Sequence, residues 1–404
     1  MLWILAGVSI ALLIYEAGTL ITAVLLPLLD NPNAIQTDFH YYYDAAVRFR
    51  GDPLRLYRLS DDVIAGFAYP PPAILPFVVL SYLPLGASLL VFTLISYGVL
   101  AAAIASWLSY LRSRGLTIES TTAMAAAVIA LALGPSYSNA IFGQVNALVL
   151  ACAVGFMTIG PRRPEIGGSL LAAGIWLKIY PVLMAAIGLW NRSAWRRLLY
   201  AIAASAVLVL VLRWTIPPAS YVTFVTDVLP ARFDKTAVHI TNQSLVAFLE
   251  RFFVPPERFL NWTGDQAIAV SGIIRGFNWM FGVAVILLLW RRATHGPRVE
   301  AIDSAAGVIA LAAVIAPLGW GHTFVLVLPL VILHLVSLRD ASPVHQVIVF
   351  LCVLAMMVPP GRRFSLVEQL MPWAQNVFYS RYLLAALVLI ALPPAIAPYT
   401  DSRR

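Results

Sequence analysis

The sequence predicts an all-α polytopic membrane protein. This prediction rests on the composition of the chain and on the lengths of its apolar segments. Hydrophobic residues make up 61% of the chain and charged residues only 11%, with a mean hydropathy of +0.84. A soluble domain carries about 25% charged residues. A bilayer span needs roughly 20 apolar residues, so the 404 residues suffice for about 10–12 transmembrane or re-entrant helices. We expect one membrane-embedded domain over residues 1–404.

The formal net charge of +8 is distributed in short basic clusters between apolar segments and forms no continuous stripe. This distribution is typical of cytoplasmic loops in membrane proteins, so we expect no nucleic-acid partner. Both termini should be cytoplasmic, together with the clusters Arg112/Arg114, Arg162/Arg163, Arg192/Arg196/Arg197, Arg291/Arg292/Arg298, Arg339 and Arg403/Arg404. The connections expected on the opposite, outer side are 31–70, 135–143, 217–266, 317–321 and 359–377.

The chain begins with an apolar segment from Trp3 to Leu29 that lacks a preceding basic region and is long enough for a retained first span. An acidic, aromatic stretch follows from Asp38, and its apolar pattern predicts a helix at the membrane interface. A carboxylate at the mouth of a membrane protein is costly unless it is used. Asp38 could be a general base or the N-cap of this helix, and one residue could do both.

Prolines interrupt the next apolar segments. Tyr69 precedes three prolines that stiffen the chain before a helix. They either fix Tyr69 against a substrate or merely start the helix. Residues 71–110 contain two apolar runs but should cross the membrane once, so we expect 71–83 to form a partial or re-entrant helix.

Two further apolar segments, 121–134 and 144–160, are short and flank polar turns at 134–139 and 143–146. Shortened helices that end in polar turns predict a cavity open to the outer side. Gln144 and Asn146 lie at the second turn. Their amides could hydrogen-bond sugar hydroxyls or join neighbouring helices.

The segment 167–190 lies between two basic clusters and is too short for two full spans, which need about 40 residues. Lys178-Ile179-Tyr180-Pro181 interrupts it, so we expect two half-helices with this tetrapeptide at the turn. Non-helical backbone at membrane depth is tolerated where it lines a cavity, which makes Lys178 a binding candidate. The alternative is a single tilted helix from which Lys178 snorkels to the interface.

The outer loops contribute further candidates. Asn242 and Gln243 in the 217–266 loop could bind a sugar or join helices, and they precede a predicted helix. Trp320 and His322 lie at the outer start of a span. A histidine there could bind phosphate, position a catalytic group, or simply be tolerated.

Arg362, Arg363 and Arg381 lie on the expected outer side, against the charge bias, and suggest an anionic partner such as a lipid phosphate. Cys152 and Cys352 lie in apolar runs, so we expect neither a disulfide nor a thiolate metal site. The sequence contains no Gly-rich phosphate loop, no metal-ligand spacing and no nucleophile elbow. We therefore expect no nucleotide, metal or other cofactor.

Several short blocks of sequence follow one another in a specific order. They are Asp38-Phe39 with Tyr42-Tyr43 and Ala45-Ala46, Gly51-Asp52-Pro53, Leu56-Tyr57, Tyr69-Pro70-Pro71, Gly143-Gln144-Val145-Asn146, Lys178-Ile179-Tyr180-Pro181, Asn242-Gln243-Ser244 and Pro317-Leu318-Gly319-Trp320-Gly321-His322. Over residues 30–330 this ordered set resembles glycosyltransferase family 87. That family includes polyprenyl-phosphate-mannose-dependent mannosyltransferases and related arabinofuranosyltransferases of the cell envelope.

The resemblance implies a GT-C fold and inverting, metal-independent transfer of a sugar, with mannose expected, from a polyprenyl-phosphate donor to a glycolipid or glycan acceptor. Asp38 would be the catalytic residue. The implied phosphate-binding residues are Lys178, His322, Arg362 and Arg381, and the implied substrate-binding residues are Tyr69, Gln144, Asn146, Tyr180, Asn242, Gln243 and Trp320. The site would face the periplasm from the inner membrane, in contact with membrane lipids. The alternatives are a lipid or sugar transporter or flippase and a non-catalytic scaffold.

Overall fold

The computed structural model describes residues 1–31, 37–57, 66–262 and 267–395. Predictions for residues 32–36, 58–65 and 263–266 of the two large outer loops, and for the C-terminal Arg403 and Arg404, lie outside the described residues. The described residues are mainly helical and include two short strands. The chain is thus the all-α polytopic membrane protein that its composition predicts.

Four helices in the described ranges are long and apolar enough to cross a membrane: Leu2–Asp30, Leu85–Ser113, Arg192–Leu212 and Gly272–His295. Two bent pairs raise that number to six if each pair forms one span. These are Ser120–Ala132 with Gly134–Ile141, bent by 48°, and Pro372–Tyr379 with Arg381–Ala391, bent by 63°. Shorter apolar helices are Pro71–Leu80, Asn146–Thr158, Tyr180–Leu189, Gly321–Val336 and Pro343–Met357. The fold therefore combines full spans with shortened helices, which are tolerated where they surround a cavity.

The other helices of ten or more residues are Asp38–Gly51, Pro164–Leu177 and Arg298–Ile315. The 217–266 loop contains Pro218–Thr223, Phe224–Val228, Leu229–Asp234, Leu245–Glu250, Arg251–Phe253 and Pro256–Leu260, and short helices elsewhere are Pro53–Arg55, Leu338–Asp340 and Ser365–Glu368. Strand Lys235–Ala237 pairs antiparallel with Ala267–Ala269, and Thr236 lies opposite Ile268. This short ladder joins the 217–266 loop to the residues that directly follow it.

The helix Arg298–Ile315 forms the centre of the molecule. Its residues from Ala305 onward are buried on every face, because alanine and glycine recur along it and let neighbouring helices approach closely. The Asn278 side-chain amide donates to the carbonyl of Ile315 at 2.9 Å. This bond satisfies one of the carbonyls left unpaired at the end of the helix.

The polar stretch predicted as a turn at 134–139 is instead a helix, Gly134–Ile141, bent against the preceding one. Pro135 lies in its first turn, where a missing amide hydrogen costs nothing. The Ser136 hydroxyl donates to the carbonyl of Ala130 at 2.7 Å and so links the two helices across the bend. The connection to the next helix therefore comes later, at residues 142–145.

The helix Asp38–Gly51 occupies the position predicted for an interfacial helix. Its N-cap is Thr37, whose backbone amide donates to Nδ1 of His40 at 3.0 Å. The N-cap interpretation of Asp38 is therefore wrong, because Asp38 is the first residue inside the helix. Phe39 packs against Phe77 and Phe92, with ring centroids 5.9 and 5.4 Å away. These contacts fix the helix to the two that follow it in sequence.

Candidate active site

A cavity of about 580 Å³ is lined by residues from the amino-terminal loop, the broken helices and the 217–266 loop. It contains most of the residues that the sequence singles out. The predicted residues that line it are Asp38, Tyr69, Gln144, Lys178, Tyr180, Trp320, His322 and Arg362. Segments separated by more than 300 positions in the sequence thus meet at one site.

Gln144 links the acidic and basic groups of the cavity. Its Nε2 donates to Oδ2 of Asp38 at 2.6 Å. Its Oε1 accepts hydrogen bonds from the hydroxyl of Tyr42 at 2.8 Å and from Nζ of Lys178 at 3.3 Å. The Tyr69 hydroxyl reaches the same oxygen at 3.3 Å. One amide therefore holds a carboxylic acid, a lysine and two tyrosines together.

The turn before Gln144 requires a glycine. Gly143 has φ +63°, and a Cβ atom there would lie 2.7 Å from Cβ of Phe39. The backbone amide of Phe39 also donates to the carbonyl of Phe142 at 3.1 Å. Because only glycine adopts this conformation without strain, Gly143 lets the turn approach the start of the Asp38–Gly51 helix.

Lys178 lies at the break that the sequence predicts. The helix Pro164–Leu177 ends before it, Lys178 is extended, and a 3₁₀ helix begins at Tyr180. Its side chain is only 6% exposed, and Nζ donates to Oδ1 of Asn146 at 2.8 Å. Nζ also lies 5.3 Å from the ring centre of Tyr69. The snorkelling alternative is therefore wrong, because the lysine points into the protein.

The environment of Asp38 suits a proton acceptor. Burial raises the pKa of its carboxyl group above the ordinary value of 3.8, while the hydrogen bond from Gln144 and the positive charges of Lys178 and Arg232 lower it. The net effect is a raised pKa. A general base is most effective when its pKa lies near the working pH, so the shift is in the useful direction.

His322 follows Trp320 at the cavity wall. It is 4% exposed, and its Nε2 has no hydrogen-bond partner among the described residues. Its ring lies edge-on to Phe142, with centroids 6.1 Å apart. A buried nitrogen that lines a cavity without a protein partner is available to a ligand.

The sequence leaves two interpretations open for Asn242 and Gln243, sugar binding and the joining of helices, and in the structure neither residue lines the cavity. The Asn242 amide donates to the carbonyls of Ala237 at 2.9 Å and Pro317 at 3.3 Å. The Gln243 amide donates to the carbonyl of Tyr379 at 2.7 Å. Both side chains are fully buried. Their bonds hold the 217–266 loop against neighbouring segments and leave the cavity surface to other residues.

The predicted outer arginines occupy different positions, and Arg363 donates to the carboxylate of Glu368. Arg362 is exposed and lines the cavity. Arg381 is 9% exposed and donates to the carbonyls of Val358 and Pro359, the latter at 2.5 Å from Nη2. Arg381 therefore holds the turn that carries Arg362. Asn146 has a similar supporting place, since it contacts Lys178 from behind the cavity surface.

The cavity also contains residues that the sequence does not single out as site residues. They include Tyr42, Arg232, His239, Thr241 and Trp262. Tyr42 lies four positions after Asp38 and so shares its helix face, a spacing that could have identified it. The others come from the 217–266 loop, where no periodic pattern marks them. Among the described residues, no group of three or more His, Cys, Asp or Glu side chains is placed to hold a metal ion.

Comparison with known proteins agrees with the resemblance seen in the short sequence blocks. No curated protein matches the chain. The family model for glycosyltransferase family 87 matches residues 67–317, more than half of the chain. The matched range includes Gln144, Asn146 and Lys178 and begins after Asp38, which the fold brings to Gln144. The chain belongs to glycosyltransferase family 87.

Proposed function

We propose that this glycosyltransferase moves a sugar, with mannose expected, from a polyprenyl-phosphate donor to a hydroxyl group of a glycolipid or glycan. The reaction would invert the configuration at the sugar C1 carbon. The observation that carries the proposal is the hydrogen-bonded set of Asp38, Gln144 and Lys178 within one cavity. In this set Asp38, a proton acceptor, bonds to the nitrogen of the Gln144 amide, and Lys178, a cation, bonds to the oxygen of the same amide.

Asp38 would act as the general base. The acceptor oxygen attacks C1 and forms the new glycosidic bond while its proton passes to the carboxylate of Asp38. At the same time the bond between C1 and the phosphate oxygen breaks, and its electron pair leaves with the polyprenyl phosphate. Proton removal by a positioned carboxylate contributes typically about 100-fold to 10,000-fold to a rate.

The leaving phosphate gains negative charge as that bond breaks, and the cavity contains cations that can stabilise it. Lys178 is buried beside Gln144, while Arg232 and Arg362 line the same cavity. Preorganised positive groups in a site that excludes water lower the energy of a transition state that develops negative charge. The Nε2 atom of His322 could donate to the same group if it carries a proton.

A lipid-linked donor agrees with the membrane setting of the cavity. The donor brings its own hydrocarbon anchor, so the protein needs no nucleotide-binding loop. The basic clusters predicted to be cytoplasmic and the loops that line the cavity are different segments of the chain. We therefore place the site on the outer face of a bacterial inner membrane. The acceptor would reach it from the same side.

The test is an assay of the purified protein in detergent with radiolabelled mannosyl, arabinosyl and glucosyl polyprenyl phosphates. We expect one of these donors to be consumed. The Asp38→Asn variant should lose transfer by roughly 100-fold or more and still bind the donor, because the carboxamide can keep the bond to Gln144. Asp44→Asn, an exposed neighbour on the same helix, is the matched control and should keep full activity.

Transport is impossible in detergent, so the same assay distinguishes a transferase from a flippase. Transfer at the wild-type rate by Asp38→Asn would remove the proposed mechanism. Failure of the wild type to release sugar from every donor would remove the proposed donor class. Loss of activity in Asp44→Asn as well would assign the effect of Asp38→Asn to the helix as a whole.

A further inference from the structure

A group of aromatic side chains lines the cavity beyond the groups that the proposed reaction uses. It includes Trp320, which the family resemblance implies to be substrate-binding. The rings of Trp262 and Trp320 lie with their centroids 6.2 Å apart at 45°. The ring of His239 meets Trp262 edge-on, with centroids 5.2 Å apart. All three residues line the cavity. We call these three residues the aromatic platform.

The backbone around the platform is rigidly held. Asn242 and Trp320 form an isolated antiparallel bridge. The amide of Gly321 donates to the carbonyl of Thr241 at 2.9 Å, and the amide of Gln243 donates to the carbonyl of Gly319 at 2.8 Å. These bonds join the segment that contains His239 to the segment that contains Trp320. The buried side-chain bonds of Asn242 and Gln243 add to this support.

Polar groups border the aromatic surface. Nδ1 of His239 shares a hydrogen bond of 2.7 Å with the hydroxyl of Thr241. Burial, and then the positive charges of Arg251 and Arg363, lower the pKa of His239 to about 4. The imidazole is therefore neutral at neutral pH, and the platform presents flat, uncharged rings with hydrogen-bonding groups at their edges.

This combination fits a pyranose ring. One face of a sugar ring carries mostly C–H groups and packs on an aromatic ring, while its hydroxyls point outward to polar neighbours. Trp262 is still 57% exposed. A tryptophan with that much exposed surface, in contact with another ring and facing a cavity, has an apolar face that a ligand can cover.

The platform is separate from the groups assigned to the donor. Asp38, Gln144 and Lys178 come from the interfacial helix and the broken helices, whereas His239 and Trp262 come from the 217–266 loop. The two sets are joined through Trp320 and His322, two residues apart in sequence. A donor anchored in the membrane reaches the first set, and the second set remains for a molecule that approaches from the loop side.

We infer that the aromatic platform is the acceptor subsite and that the acceptor is a saccharide whose terminal ring stacks on Trp262 and Trp320. The inference rests on the proposed function. The stacked ring would place one of its hydroxyls toward Asp38, and the protein would then extend an existing sugar and would not glycosylate a simple lipid alcohol.

The experiment measures transfer in detergent from the donor that the wild type uses. The acceptor probes are octyl glycosides of mannose, glucose and galactose, with 1-octanol as the non-sugar probe. We expect at least one glycoside to be used far better than 1-octanol. Trp262→Ala should raise KM for that glycoside about tenfold. It should leave KM for the donor, and the slow hydrolysis of the donor by water, unchanged.

Two further variants make the comparison specific. Trp262→Phe keeps a ring and should recover most of the affinity for the glycoside. Trp373→Ala removes another tryptophan on the expected outer side, which is 59% exposed. This variant should leave KM for the glycoside unchanged. Because Trp262 is exposed, its replacement should leave the thermal midpoint in detergent close to that of the wild type.

The inference is overturned if Trp262→Ala leaves KM for the glycoside unchanged. It is also overturned if KM for the donor rises equally, which would assign the platform to the donor. The inference is also overturned if the wild type uses 1-octanol as well as it uses the glycosides. It is overturned as well if the wild type cleaves the donor but uses none of these acceptors. Full activity of Asp38→Asn would instead contradict the proposed function and leave these comparisons of acceptors valid.

Discussion

Gln144 lies between two charged groups of the cavity and forms a hydrogen bond with each. Asp38 accepts from Nε2 of its amide at 2.6 Å, and Lys178 donates to Oε1 of the same amide at 3.3 Å. A carboxylate and an ammonium in direct contact would neutralise each other. In the proposed reaction, the amide between them would leave the carboxylate able to accept a proton from the substrate and the ammonium able to attract phosphate.

The pH dependence of the reaction should change when the hydrogen bond from Gln144 to Asp38 is removed. As a base, Asp38 acts only when deprotonated, so kcat/KM should fall as the pH drops below its raised pKa, above the ordinary value of 3.8. The bond from Gln144 lowers that pKa. Gln144→Leu removes this bond, so the acid limb of the kcat/KM profile should move to higher pH than in the wild type.

The pH at which the acid limb lies is a better measure of the bond between Gln144 and Asp38 than the rate is. The rate also changes because Gln144→Leu removes a hydrogen-bond partner of Lys178. Tyr42→Phe is the matched control. It removes a donor to Oε1 but keeps the bond from Nε2 to Asp38, so its acid limb should stay near that of the wild type. An unchanged limb in Gln144→Leu would mean that Asp38 is not the group that titrates.

At the scale of the helices, the site is built from helix ends. Asp38 begins one helix, Asn146 begins another, and Lys178 follows the end of a third. Helix ends leave backbone groups unpaired, and in a membrane these groups are tolerated only inside the protein or beside a wet cavity. The breaks thus explain both the polar character of the site and its place in the fold.

Gly143 provides the test at this scale. Gly143→Ala would place a Cβ atom 2.7 Å from Cβ of Phe39 at φ +63°, where a side chain is strained. We expect a loss of about 1–3 kcal/mol of stability and a fall in turnover, because the turn would carry Gln144 away from Asp38. The measurements are the thermal midpoint in detergent and the rate of sugar transfer.

Gly98→Ala is the corresponding control. Nothing lies within 4 Å of a Cβ atom at Gly98, which is within the helix Leu85–Ser113, and alanine favours a helix over glycine by about 1 kcal/mol. Its midpoint should be equal to that of the wild type or slightly higher. A wild-type midpoint and turnover in Gly143→Ala would show that the close approach of this turn to the helix is not required.

The elements could be predicted from the sequence where one signal dominates. The break at Lys178 is visible because a lysine and a proline interrupt an apolar segment that is too short for two spans, and the structure confirms it. The stretch 134–139 was not predictable in the same way. Its polar residues suggest a turn, but the hydroxyl of Ser136 pairs with a backbone carbonyl and allows a helix to continue after a bend.

At the scale of the whole molecule, the cavity requires contacts between segments far apart in sequence. The groups around Asp38 belong to recognisable sequence blocks, whereas the contributions of Arg232, His239 and Trp262 depend on how the 217–266 loop folds over the helices. That loop has no strong period, and Asn242 and Gln243 could not be assigned to its interior without knowing its partners. Short polar motifs in such loops therefore indicate a site without showing which side chains face it.

A cryo-EM structure of Asp38→Asn with its polyprenyl-phosphate sugar donor bound would test the proposed roles of Asp38 and Lys178. We predict that the phosphate lies within hydrogen-bond distance of Nζ of Lys178 and that the sugar C1 faces position 38, with space for an acceptor between C1 and the platform of Trp262 and Trp320. Donor density that leaves Lys178 without contact to the phosphate, or that places the sugar outside the cavity, would contradict these roles.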